Sequence, residues 1–311
     1  MITNQPVETN DDMRKVTDNI LRDAGMTIAD GGGKVTFAGK EPIRKTVIKA
    51  GAAPACVLAA NAVADAAIWK ERTGETQDIH VDLRKAWIEQ SPWQKDALSY
   101  TTISGVSKAW NKNVFVLSPS IARARDGRWM VLSPPYPSQQ RKAMNLLRCG
   151  PDIEQVRAAM ARRESSELEE AAEAVQIPLH IIRTKEEWAA TEQGRIHAET
   201  PLIHIEKIAD SDPIPLPQGE RPLSGLKVLS FVHAVAGPCV SRTLGMQGAE
   251  CMNLDMPDWV EFGKFFFTAH AGQRQAYLDA REPEHRKHVY KLIEEGDVFV
   301  ENLRPGLADS E

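Results

Sequence analysis

The chain is short of the features that mark several function classes. Its four cysteines, Cys56, Cys149, Cys239 and Cys251, form no CxxC and no cysteine–histidine cluster at metal spacing. That argues against a disulfide scaffold or a metal site and for reduced thiols in a cytoplasmic compartment. With a net charge of −5, the chain has no electrostatic footprint for nucleic acid. No apolar run is expected to reach the roughly 20 residues that a bilayer crossing needs. The N-terminal MITNQPVETNDDMRK has no apolar core of the kind a signal peptide carries. Phosphate and hydrolase fingerprints are missing too. GGGK at 31–34 lacks the GxxxxGK[ST] spacing, the turn after residue 231 lacks GxGxxG, and Ser241 has no GxSxG elbow.

What is present is organised around residues 222–306. PLSGLKVLSF predicts a strand at 226–231, VHAVAGP a turn at 232–238, and an amphipathic helix runs on to about Met246. GAE and a second strand at 251–254 follow, then QRQAYLD (273–279), a helix from about Glu282 and a third strand at 297–300 leading into ENLRPG. This order is the sequence form of a parallel α/β layer, whose ligands sit at the carboxyl ends of the strands. At 311 residues, 42% of them hydrophobic and 26% charged, the chain has room for two domains or one large one.

Ahead of that block, a short helix is expected at 11–24 and a glycine-rich loop tip at 30–34. Residues 52–69 are alanine-rich and nearly uncharged, which suits a helix packed over most of its circumference, with Gly74 closing it. Ile79, Val81 and Leu83 alternate with His80 and Asp82, a strand with one buried face and an edge histidine. A further strand is expected at 113–119. Asp126-Gly127 predicts a two-residue type I′ hairpin turn, with Arg123, Arg125 and Arg128 on a solvated face. Helices follow at 139–148, 153–163 and 166–175, with capping boxes at Ser166/Glu169 and Thr184/Glu187. A strand at 177–183 carries His180. A helix from Lys185 fades near Gly194, and 201–208 alternates like an edge strand. Four prolines mark 209–222 as a linker and a domain boundary.

The chemistry is expected at the turn after residue 231. Pro238 fits the first position of a helix whose N–H groups stay free to meet an anion, and His233 stands at the mouth of the cleft. Arg274 and Arg304 lie near strand boundaries, where both could reach one crevice and a phosphate, or simply be solvated. Asn302 suits either a turn cap or a ligand contact. Cys239 is read as a packed cysteine.

PLSGLKVLSF…HAVAGPCVSRTLGMQGAE, QRQAYLD and EEGDVFVENLRPG closely resemble the family III CoA-transferases, the group of formyl-CoA transferase, carnitine CoA-transferase and α-methylacyl-CoA racemase. The alanine-rich helix with ERTGETQDIHVDL resembles the family's late large-domain segment, and DGRWMVL with the helices after it resembles the small domain. Late segments thus precede early ones, as in a double-length branch. The resemblance implies an α/β fold, a Rossmann-like parallel-sheet large domain with a smaller α/β domain. The chain would divide into an N-terminal helix and loop (1–40), a late large-domain plus small-domain segment (41–209), a linker (210–221) and an incomplete Rossmann-like CoA-binding segment (222–311).

It further implies that coenzyme A is held by Val235 and Ala236, by Ala271, Gly272, Gln273 and Arg274, and by Asn302, Leu303 and Arg304, with His233 lining the site. The substrates would be an acyl-CoA and a small carboxylate, without metal, nucleic acid or membrane. The assembly would be an interlocked homodimer or an intramolecular pseudo-dimer. The family reaction moves CoA to the carboxylate through an acid anhydride and an aspartyl-CoA thioester. The family's nucleophilic Asp lies well downstream of ENxRPG. No residue here matches it, so the chain is expected to be a truncated piece; Asp255, Asp279 and Asp297 fall in other family segments. Val235 stands where the transferases commonly have Gln. Two alternatives stay open, an acyl-CoA racemase or isomerase working by acid/base groups and a non-catalytic CoA-binding or assembly module.

Overall fold

A computed structural model describes residues 10–90, 102–103, 106–107, 120–257, 266, 268–304 and 306. The strand expected at 113–119 lies outside them. The chain forms two units, one of Met1–Ser107 with Pro201–Glu311 and one of Lys108–Thr200.

The first unit begins with α1 (Asn10–Asp23), β1 (Val35–Ala38), α2 (Ala52–Thr73), β2 (Ile79–Asp82) and α3 (Leu83–Gln90). Small side chains let α2 be approached from several sides: Ala55, Cys56, Ala59 and Val63 pack with Met13 and Leu21 of α1 and Val35 and Phe37 of β1. Its start is capped by Glu41, whose buried carboxylate accepts the N–H groups of Gly51 (2.6 Å) and Ala52 (2.7 Å). Left-handed Gly74 ends it. By length and composition α2 could cross a membrane, which corrects the sequence expectation, but seven of its residues are buried within the protein.

The glycine-rich segment is not a loop tip either. A Cβ on Gly33 would lie 1.9 Å from the Gln77 carbonyl oxygen, and the Lys34 N–H donates to Asp78 (2.7 Å). This close backbone approach leads straight into β1, a strand the sequence reading missed, which pairs in parallel with β2. His80 is exposed beside the Thr36 hydroxyl. A short antiparallel pair, β3 (Thr102–Ile103) and β4 (Val106–Ser107), follows.

The second unit has β5 (Ser120–Arg123) and β6 (Trp129–Leu132), then α4 (Pro137–Leu147), α5 (Ile153–Met160) and α6 (Ser165–Ala174). β7 (Leu179–Ile181), α7 (Lys185–Ala189) and α8 (Glu192–Glu199) complete it. The sheet is antiparallel in the order β5-β6-β7, and Met130, Leu132 and Leu179 meet Met160 and Leu168 in its core.

Three local expectations change here. The hairpin loop has three residues, not two. Ala124 N–H donates to the Arg128 carbonyl (2.9 Å) and Gly127 N–H to that of Ala124 (3.0 Å). Only Gly127 in the loop has positive φ, whereas a type I′ turn needs two such residues. Ser166 and Glu169 form no capping box. Glu164 is the N-cap, and Glu169 instead accepts from Arg183 and from the Ile181 N–H. Thr184 and Glu187 do form theirs. The helix from Lys185 is two short ones, α7 and α8.

The first unit resumes with exposed, irregular backbone at 204–219, where the alternation at 201–208 forms no strand. β8 (Lys227–Phe231), α9 (Ala236–Met246), β9 (Glu250–Asp255), β10 (Arg274–Tyr277), α10 (Pro283–Glu294) and β11 (Val298–Glu301) follow. Their sheet is wholly parallel, in the order β10-β9-β8-β11. One face (Leu229, Phe231, Leu254) packs with Val289, Leu292 and Ile293 of α10. The other (Val228, Cys251, Val300) packs with Leu244 of α9 and Ile68 of α2.

Arg72 of α2 fastens these distant stretches. Its guanidinium donates to the carbonyls of Pro222 (3.1 Å), Ser224 (3.0 Å) and Pro217. Replacing it (Arg72→Met) strands three acceptors and is expected to cost about 1–3 kcal/mol. Urea denaturation measures the cost, and limited proteolysis should cut faster at residues 209–222.

Candidate functional site

In a parallel sheet all carboxyl ends share one edge, and here β8 and β11 are neighbours at it. β8 leaves that edge through Val232, His233, Ala234 and Val235. Ala234 takes a left-handed φ of 66°, which a residue with a Cβ adopts only under constraint. The helix then starts at Ala236, two residues before the expected first position, so Pro238 is its third residue. Proline, which has no N–H, breaks no bond at this position, but the Cys239 N–H already donates to the Val235 carbonyl (3.0 Å), so the free donors lie ahead of Pro238 rather than after it. The N–H groups of Ala236 and Gly237 have no acceptor within the helix.

The constraint on the turn comes from Asn302, the first residue after β11. Its Oδ1 accepts the His233 N–H (3.1 Å), and its Nδ2 donates to the His233 carbonyl (3.0 Å). Between Asn302 and the turn there is room only for glycine: a Cβ on Gly237 would stand 2.6 Å from Val232 Cβ and 2.8 Å from Asn302 Cγ.

A buried polar row lies beneath. The hydroxyls of Ser230 and Ser241 are hydrogen bonded. The Asn253 side-chain amide donates to the Val232 carbonyl (3.3 Å) and to Asp255 Oδ1 (2.8 Å). Asn253 is 0% and Asp255 1% exposed, and burial pushes the Asp255 carboxyl above its usual range. The sequence reading missed Ser230, Ser241 and Asn253 as parts of the site. Polar residues standing inside the apolar strands VLSF and CMNLD were the available signal.

His233 is half-buried, and burial, with the Arg304 charge second, holds its imidazole below the usual value. It is therefore neutral at pH 7, a hydrogen-bonding group rather than a fixed cation. Cys239 is also half-buried, and burial raises its thiol, as befits packing rather than thiolate chemistry.

The remaining candidates separate. Val235, Ala236, Asn302, Leu303 and Arg304 share the carboxyl edge with His233. Gln273 reaches the start of α9, donating to the Pro238 carbonyl (2.9 Å). Ala271 and Gly272 are exposed just ahead of β10. Arg274 opens β10 and lines a cavity with Lys227, Glu250 and Glu295 at the amino ends of the strands. Arg274 and Arg304 therefore do not point into one crevice, because one begins its parallel strand and the other follows the end of its own. Near Gln273, His270 is buried, its imidazole is pushed down to about 4 by desolvation, and its Nδ1 meets the Gln275 side chain (2.6 Å).

The family model described as CoA-transferase family III matches residues 223–310, the stretch that builds this sheet and turn. Over these residues the chain is similar to CoA-transferase family III. The chain is 25% identical over 222 residues to an acyl-CoA transferase of Gibberella moniliformis, covering 63% of this chain and 38% of that protein. It is 31% identical over 125 residues to the succinyl-CoA–L-malate CoA-transferase alpha subunit of Chloroflexus aurantiacus (35% and 29% covered). It is 30% identical over 100 residues to the formyl-CoA:oxalate CoA-transferase of Escherichia coli (28% and 24% covered). The chain thus matches well under half the length of these relatives. A crystal structure of a CAIB/BAIF family protein from Brucella suis aligns with 55% of this chain and 50% of its own, at 18% identity and a TM-score of 0.36.

Removing the nearby charge should raise the His233 pKa, because repulsion by Arg304 adds to the effect of burial. In an NMR titration of the imidazole protons, Arg304→Gln is expected to move the midpoint up towards the ordinary value. Since the folded-state pKa is depressed, this group's contribution to stability is complete above about pH 6.5 and falls as pH drops below it.

Proposed function

We propose that this chain carries the CoA-holding part of a family III CoA-transferase, in which CoA passes from an acyl-CoA to a small carboxylate. The observation that carries this reading is the turn fixed by Asn302 and closed around Gly237 at a helix N-terminus. Such a turn presents backbone N–H groups that are already ordered when a ligand arrives. Val235 and Ala236 would meet the CoA chain, Arg304 would supply charge-assisted bonds to phosphate, and the neutral His233 would line the acyl end. Turn N–H groups would also suit the oxyanion of a tetrahedral intermediate. Gln273 can join this group through Pro238; Ala271, Gly272 and Arg274 would have to meet another part of a long cofactor.

The names of the Chloroflexus and Escherichia relatives, malate and oxalate CoA-transferases, favour a short carboxylate as acceptor here too. The covalent step would run through an aspartyl anhydride and an aspartyl-CoA thioester, on an aspartate that we do not assign to any residue described above. A homodimer or an intramolecular pseudo-dimer would complete the site, in a reducing, cytoplasmic compartment that suits four cysteines outside any disulfide.

A second reading, a CoA-binding module without covalent chemistry, is favoured by one observation. Asp255, the carboxylate wired to the turn, is closed to solvent and cannot attack a thioester. An acyl-CoA racemase working by acid/base groups draws no comparable support from the site.

Calorimetric titration with CoA should show binding, and a radiolabelled carboxylate should exchange into acyl-CoA. Absence of binding overturns the proposal. Binding without exchange favours the module. Gly237→Ala is expected to weaken CoA binding by about tenfold or more, because the added Cβ has to displace Val232 or Asn302.

A further inference from the structure

We infer that Asn253 and Asp255 are positioning residues that fix the Val232–His233 peptide and, through it, the orientation of His233 and of the turn beyond. The part this plays in CoA binding rests on the function proposed above, whereas the clamp itself does not.

The Val232 carbonyl and the His233 N–H belong to one planar peptide unit. Asn253 holds the carbonyl from β9 at 3.3 Å, and Asn302 holds the N–H from β11 at 3.1 Å. A plane bonded at both ends cannot rotate, and the side chain that follows it inherits its direction. The clamp requires Asn253 to present its NH₂ to the carbonyl. Turned over, the amide would set oxygen against oxygen.

Asp255 makes that choice. Its Oδ1 accepts the other Nδ2 hydrogen at 2.8 Å, and a reversed amide would face oxygens on both sides. With the pair 0% and 1% exposed, bulk water cannot stand in for either bond. The arrangement leaves Asn253 Oδ1 and Asp255 Oδ2 buried without partners. Such orphans cost stability, which two aliphatic side chains would not. What the pair supplies in return is direction: a polar group of fixed sense under the one peptide that β8 sends into the site.

The test compares three variants by amide hydrogen exchange and CoA titration. Asp255→Leu removes the acceptor and frees the Asn253 amide to turn. The His233 amide should then exchange about tenfold faster or more, while the β8 amides (Val228–Ser230) keep their wild-type rates. Asp255→Asn retains an acceptor oxygen and should stay close to wild type. Asn253→Leu, with no donor for the carbonyl, should behave like Asp255→Leu and decides the matter should that variant not fold. Unchanged His233 exchange, or a rise shared by all β8 amides, overturns the clamp. Wild-type protein that binds no CoA sinks the proposed function and leaves the exchange rates to decide the clamp. Where CoA does bind, Asp255→Leu should weaken it about tenfold and Asp255→Asn should not. Equal affinities would overturn the positioning role.

Discussion

The candidate site depends on one side-chain amide reaching between neighbouring strands. Asn302 takes both polar groups of His233, and that contact converts two strand ends into a single rigid edge. Without it, the turn that carries the strained φ of Ala234 would lose its two bonds to β11. Gly237 is the complementary half of the same constraint. The space that a side chain would occupy is filled by Val232 and by Asn302 itself, so helix, turn and strand end are packed to backbone contact. The chemistry available there, free N–H groups and a neutral imidazole, follows from that packing and needs no further device.

Much of the parallel layer was legible in the sequence because its signals are local. Apolar runs at 226–231 and 251–254, a turn with Gly-Pro, and helices with clear ends gave elements within a few residues of those observed. Asn302 was legible as a residue with two possible roles, and the structure shows the first, capping a turn. One amide can brace the backbone that a ligand meets.

What was not legible was pairing across distance. β1 is four residues long, and its approach to β2 depends on Gly33 meeting the Gln77 backbone, which no local pattern announces. The alternation at 201–208 has the form of a strand but no neighbour to bond with, and it stays irregular. Glu169 had the spacing of a capping residue, yet the Arg183 guanidinium outbid the Ser166 amide for its carboxylate. Arg274 and Arg304 each looked like the edge of a crevice, because QRQAYLD was not read as a strand and the start that Arg274 gives it went unseen. The polar row of Ser230, Ser241, Asn253 and Asp255 escaped for a related reason. Each residue is unremarkable alone, and they become one feature only when α9 lies on the sheet.

The contact of Ile68 with the sheet and the Arg72 latch bear on how the chain reaches this state. Arg72 and Pro222 stand 150 positions apart, so during synthesis α2 emerges long before the strands it will cover. The intervening unit, residues 108–200, can order itself first, since among the described residues its core is drawn from within it. Until β8 and β9 arrive, the apolar side of α2 at Ile68 has no sheet to lie on. Closure of the first unit is then a late, non-local event with a slow search.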